Sequence, residues 1–298
     1  MILKILIKRN VKLFFKDKGL FFTSLITPLI LLVLYATFLG NVYTDSLRST
    51  LPSGFTLSDD MLKGFAGSQL LSSLLSVSCI TVAFCSNMLM VQDKANGSIR
   101  DFTVSPVRPS IMALAYYVAT LISTFIVCFV AMFVGLLYVA MVGWYFTIAD
   151  ILLLALDVIL LCLFGVALSS LINFFLSSQG QISAIGSIVS SCYGFLSGAY
   201  MPLSQFAEGL RTVIMFLPGT YGTSLVRNHA MRGVLAAMED DGLPSEFITG
   251  VKDAFDVNLY LFDTQISLPV MYAVVLVTIA LLVGAYVALN VIKSKKVR

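Results

Sequence analysis

The stretch VQDKANGSIRDFTVSPVRPSIM, Val91–Met112, is a polar island between two long apolar runs, and the rest of the chain is understood from it. It holds Asp93, Lys94, Arg100, Asp101 and Arg108, yet the runs on either side, Phe65 to Val91 and Ile111 to Val142, contain no Asp, Glu, Lys or Arg. A hydrocarbon core about 30 Å thick needs around 20 apolar residues at about 1.5 Å per residue. Each flanking run is long enough to cross, and the polar segment becomes the loop between two spans. Ser98 to Val104 has helix-forming potential with Gly97 before it and Pro106 after it, so the spacing predicts a short helix bounded by breakers, with Pro109 leading into the next run.

Four further runs have the same character: Leu20 to Gly40, Ile151 to Ile172, Ile182 to Met201 and Ile266 to Ile292. They are continuous and do not alternate, which favours helices over a β-barrel. The composition agrees, with 58% hydrophobic and 12% charged residues where a soluble domain carries roughly a quarter charged. The first run is too long, and lacks the small-residue cleavage site, for a signal peptide. The expected fold is an all-α integral membrane protein of six transmembrane helices in one domain over residues 1–298. An amphipathic interface helix (1–18), a cytoplasmic helical segment (92–110) and an outer re-entrant hairpin between spans five and six (within 202–265) complete it.

Basic residues orient this layout. Lys4, Lys8, Arg9, Lys12, Lys16 and Lys18 precede the first span, Lys94, Arg100 and Arg108 lie between spans two and three, and Lys293, Lys295, Lys296 and Arg298 follow the last. All fall on one side, which the positive-inside rule makes cytoplasmic. Asp45, Asp59, Asp60, Glu208, Glu239, Asp240, Asp241, Glu246, Asp253, Asp256 and Asp263 fall on the other. The net charge of +3 is therefore an orientation signal, and no nucleic-acid partner is expected.

Lys4, Lys8, Lys12 and Lys16 recur every four residues along one helical face, opposite Leu3, Leu6, Ile7, Leu13 and Phe14. The face suits lipid phosphates or a docking partner, and equally a plain topogenic anchor. Asn41 to Gly64 reads as an outer loop, Gly143 and Trp144 as a tight outer turn, and Asn173 to Gln181 as a tight inner one. Leu203 to Leu217 is too polar for a clean span and too apolar for a free loop, so a broken or re-entrant helix fits it. Gly219 to Gln265 is mixed and acidic and reads as a small folded outer region. Asp157 is the one acid well inside a span. Such a carboxylate is a functional candidate, or else one hydrated or hydrogen-bonded near the outer interface. The five cysteines Cys79, Cys85, Cys128, Cys162 and Cys192 sit in apolar runs with no CxxC spacing, and with His229 elsewhere they predict packing residues and no metal site.

Six spans, a basic amphipathic amino-terminal helix, the Gly97-Ser98 and Ser105-Pro106 pairs, and the Gly198-to-Pro202 break followed by Pro218 together resemble the ABC-2 type membrane subunits of ATP-binding cassette exporters. The likeness covers nearly the whole chain. It implies that Gly97, Ser98, Asp101, Ser105 and Pro106 belong to a coupling helix that fits a groove in a nucleotide-binding subunit, with Arg100 and Arg108 adding charges. Arg100 stands where the family commonly has glutamate, and the acid is next door at Asp101. Gly198, Pro202, Pro218 and Arg227 resemble the family's outer hairpin and the stretch after it. No GxxxxGK[ST] pattern is present. The resemblance therefore implies a permease and not an enzyme, with no cofactor of its own, ATP and Mg held by a partner ATPase, and two copies of this chain in a two-plus-two complex. A bacterial inner membrane with both termini cytoplasmic is the implied setting. The expected cargo is a hydrophobic or amphiphilic compound such as a drug, toxin, pigment or antimicrobial peptide. A lipid-linked polysaccharide is the alternative, and an ion-coupled secondary transporter the more distant one.

Overall fold

The computed structural model describes residues 1–99, 107–262 and 264–296. It is helical almost throughout. Helix α1, Ile2–Lys16, buries Leu6, Asn10 and Phe14 along one face and leaves Lys4, Lys8, Lys12 and Lys16 exposed, as the four-residue spacing predicts. Asp17 breaks the helix in extended conformation and caps the next one by accepting the Leu20 N–H at 3.1 Å.

Helix α2, Lys18–Leu34, passes through a π-helical turn, Tyr35–Leu39, into α3, Gly40–Thr50. Helix α4 follows from Asp59 to Ala95. The outer loop expected from Asn41 to Gly64 is therefore mostly helical, with only residues 51–58 outside the two helices. Tyr43 and Leu47 pack into the core while Arg48 pairs with Asp59 at 2.6 Å, so the polar positions of α3 lie along a solvated side.

Helices α5, Pro109–Val142, and α6, Ile148–Phe175, complete the central group. They are joined by the predicted Gly143–Trp144 turn. Then come α7, Gln179–Leu196, the short α8, Glu208–Met215, α9, Pro218–Asp240, α10, Ser245–Ala254, a two-residue pairing of β1 (Tyr260–Leu261) with β2 (Thr264–Gln265), and α11, Leu268–Lys296.

Among the described residues five helices are long and apolar enough to cross a membrane: Lys18–Thr50, α4, α5, α6 and α11. The fifth expected span corresponds to α7, Gln179–Leu196, whose apolar stretch Ala184–Leu196 is shorter than these five, so among the described residues five of the six expected spans are matched.

Helix α4 stands at the centre, buried along nearly its whole length and packed by α2, α5, α6, α7 and α9. Its sequence explains the position. Between lipid-immersed helices there is no hydrophobic drive to associate, so close packing of small side chains decides which helix goes inside. Ser68, Ser72, Ser73, Ser76 and Ser78 supply that smoothness. Ser72, Ser76 and Ser78 return their hydroxyls to backbone carbonyls three or four residues back, at 2.8, 2.7 and 2.5 Å, so they can be buried without an outside partner.

The largest departure from the sequence expectation is at Gly219 to Asp240. Instead of belonging to a small folded outer region, this stretch forms α9, buried among α4, α6 and α11. Its charges hide it, because Arg227, Arg232 and Glu239 depress hydropathy. The first two of these find carboxylate partners within the protein. Only the segment beyond Asp240 forms a compact acidic region.

Candidate functional site

Three polar clusters and one cavity organise the bundle. The first lies at the α1 end, in the last turn of α4. Arg9 donates to Asp93 at 2.7 and 3.3 Å, and Tyr116 of α5 donates to the same carboxylate at 2.5 Å. The hydrogen bond to Asp93 also raises the Arg9 guanidinium above its ordinary value. Lys94, the next residue, donates to the carbonyls of Asn173, Phe174 and Leu176 at 3.0 to 3.2 Å, capping the end of α6, where unpaired carbonyls carry partial negative charge. Two residues of α4 thus hold α1, α5 and α6 together.

Immediately beyond, Gly97 turns the chain with φ +80, a conformation that a side chain would strain, and Ser98 begins a new helical turn. Arg108 is exposed just before α5. Arg100, Asp101, Ser105 and Pro106 lie outside the described residues.

The second cluster builds the hairpin. Gly198, at φ +73, ends the turn after α7, and its carbonyl accepts from Arg227 Nη2 at 2.8 Å. Arg227 Nη1 reaches Asp256 Oδ2 at 3.3 Å, and the same oxygen accepts the Leu203 N–H at 2.7 Å. Both charged side chains are almost fully buried. Burial pushes the Asp256 carboxyl up to about 6, against the lowering influence of Arg227. Pro202 lies in the turn beside Leu203, and Pro218 opens α9 at a position where its missing N–H costs nothing. Gly198 and Arg227, two of the four residues singled out for the hairpin, thus meet directly. Asp256 could not be foreseen as their partner, being one of many acids in its region.

The third cluster pins α9 from the side. Asp157 accepts from Tyr272 of α11 at 2.7 Å, and its other oxygen lies 2.5 Å from His229 Nδ1. Asp150 caps α6 through Thr147 and meets Arg232 Nε at 2.5 Å. Asp157 is thus a buried, hydrogen-bonded carboxylate. The intervals run in opposite directions along α6 and α9, so the two helices are antiparallel. The start of α9 meets Leu161 through Gly222, 13 residues into α6, or about 20 Å from the Trp144 end. Helix α9 therefore begins beside the middle of α6 and runs back toward the Trp144 end.

A cavity of about 900 Å³ opens beside the hairpin. Helix α2 lines it with Ile26, Thr27, Ile30 and Leu34, α7 with Ser191 and Phe195, and the hairpin turn with Tyr200, Met201 and Pro202. No Asp, Glu, Lys or Arg is among its described lining residues. Elsewhere the fold collects what the sequence scatters: the sulfurs of Cys79, Cys128 and Cys162 converge within 4.8 Å of one another.

No curated protein matches the chain at a significant level. The family described as ABC-2 type transporter matches residues 2–230, which runs from the amino-terminal helix α1 through the central helices to the buried Arg227 and His229 of α9. A helical membrane bundle, a glycine-initiated segment between its second and third spans and a match over three quarters of its length agree: the chain belongs to the ABC-2 type transporter family, as a membrane permease component.

Proposed function

We propose that this permease exports an uncharged or weakly polar amphiphilic compound, in the size range of a drug, pigment or small toxin, with energy from a separate ATPase that binds ATP and Mg. The observation that carries the reading is the cavity beside the hairpin. Its volume suits a drug-sized ligand. Its wall combines aliphatic and aromatic side chains with Thr27, Ser46, Ser191, Ser204 and Gln205 as neutral hydrogen-bonding groups. A lipid-linked glycan presents phosphates, and cationic side chains to receive them are missing among the described lining residues.

Gly97 and the segment after it serve as the coupling element, with Arg108 at its far end and the exposed lysines of α1 beside it, facing either the ATPase or anionic lipid. Two copies of the chain pair in a bacterial inner membrane with both termini in the cytoplasm. ATP-driven closure of the ATPases then rocks the helices anchored to the Asp93–Lys94 turn and opens the cavity outward past the hairpin.

The experiment uses two variants. Gly97→Val with Asp101→Ala should reduce both co-purification of the ATPase and export, and unchanged values in both would overturn the coupling assignment. Ile30→Trp, which narrows the cavity, should reduce export of amphiphilic dyes while leaving ATPase co-purification intact. Dye export at the wild-type rate would remove the cavity from the path.

A further inference from the structure

The three central helices each carry one cysteine near mid-length. Cys79 of α4, Cys128 of α5 and Cys162 of α6 are fully buried, and all three sulfurs lie within 4.8 Å of one another. Nothing in their sequence spacing joins them. Their convergence stems from how tightly α6 lies on α4: a Cβ at Gly165, one turn from Cys162, would come within 2.9 Å of the Cys79 carbonyl oxygen and 3.2 Å of the Ala83 Cβ. Glycine is what allows that approach, and the approach brings Cys79 Sγ to 3.9 Å from the Val158 carbonyl on the same face of α6.

We propose that Cys79, Cys128 and Cys162 form a three-thiol site for a soft monovalent ion, Cu(I), that ties α4, α5 and α6 together inside the membrane. Three considerations select the ion. Thiolate and thiol sulfur favour soft ions over hard ones. Three ligands at metal–sulfur distances of about 2.3 Å stand about 4 Å apart in a trigonal plane, so the observed spacing closes around an ion with small side-chain adjustments. Charge is the third. A dry interior penalises any net charge, and Cu(I) plus three thiols, with one proton released to water, gives one thiolate, two thiols and a neutral site. Three thiolates around Zn(II) would leave a net negative charge, and a fourth His, Cys, Asp or Glu ligand to complete its tetrahedron is missing from the cluster among the described residues. Copper supplied as Cu(I) binds with no oxidant or reductant consumed. The sequence expectation of buried packing cysteines would then hold for Cys85 alone, since Cys192 is exposed.

The test is anaerobic titration of the full-length chain in lipid nanodiscs with Cu(I), against a coloured Cu(I) chelator. One Cu(I) per chain is expected, lost in the Cys79→Ser, Cys128→Ser, Cys162→Ser triple variant and kept in Cys85→Ala with Cys192→Ser. X-ray absorption should find only sulfur around the copper. Because the triple variant could fail to fold, the melting temperature of the wild-type chain is measured with and without Cu(I), where a rise of several degrees is expected. Uptake equal in the triple variant, uptake lost with Cys85 and Cys192, or a wild-type chain that neither retains Cu(I) nor melts higher would each overturn the proposal.

Discussion

Replacing Arg227 by Met tests whether charge holds the turn at Gly198 against α9. The side chain of Arg227 is 1% exposed and that of Asp256 6%, and the pair spans the junction of α9 with the turn before β1. Removing the cation leaves a buried carboxylate with the Leu203 N–H as its remaining close donor. Breaking a buried ion pair from one side costs about 3–5 kcal/mol. The pH dependence gives a sharper signature. With the carboxyl pushed up to about 6 from an ordinary 3.8, the folded protein holds the proton more tightly than the unfolded chain. Stability is therefore greatest below about pH 4 and falls as pH rises through 6; those 2.2 pH units (6 − 3.8), at about 1.36 kcal/mol each, come to about 3 kcal/mol. Without Arg227 the carboxyl titrates higher still. The Met variant should lose most of its 3–5 kcal/mol at pH 7.5 and recover much of it at pH 5, where the carboxyl is neutral. Adding Asp256→Asn should flatten the profile. Melting in detergent, followed with a thiol-reactive dye that reports exposure of the buried cysteines, measures this directly. An equal loss at pH 5 and pH 7.5 would refute the assignment of the pair.

Three further substitutions probe the other contacts. His229→Ala leaves Asp157, 1% exposed, with Tyr272 as partner and should cost about 1–3 kcal/mol as a lost buried hydrogen bond, whereas a wild-type melting curve would mean that the carboxylate is hydrated. Arg9→Ala strips a charge-assisted pair from Asp93 and should cost about 1.5–3 kcal/mol; the exchange Arg9→Asp with Asp93→Arg should restore part of it, and a double-mutant cycle with no coupling would count against the contact. Gly165→Val forces its side chain against the α4 backbone and should destabilise by about 1–3 kcal/mol, measured by the same dye. A Val variant as stable as wild type would show that α4 and α6 have room to separate.

What the sequence reveals and what it conceals divide along a physical line. Long uncharged runs and four-residue lysine spacing are local properties, and they locate the interface helix, the central spans and the breakers around Gly97. Hydropathy averages over a window, so it puts α9 outside the bundle: Arg227, His229 and Arg232 score as polar whether or not they are paired, and pairing is a long-range property. Asp157 is visible as an anomaly within its span, yet its partners sit 72 and 115 residues away. The same holds for the cysteines, whose convergence depends on Gly165 rather than on any motif. Helix α3 is hidden for the opposite reason, since its polar side is solvated and the stretch therefore reads as loop.

The position of α4 links these separate observations. One helix runs without interruption from the α1 end, where Asp93 and Lys94 grip three neighbours, past Cys79 at mid-length, to Asp59 near the far end, where Arg48 meets it. A continuous hydrogen-bonded helix is stiff along its axis, so a displacement of its last turn is carried to every element gripped there. Helix α9 is gripped from the other direction, by carboxylates of α6 and by Asp256, and joins α4 through packing alone. Asp93 and Lys94 therefore join α1, α4, α5 and α6 into one hydrogen-bonded group. The turn at Gly198 is held to α9 by one fully buried ion pair, Arg227–Asp256, whereas Arg232 at the Asp150 end is about half exposed.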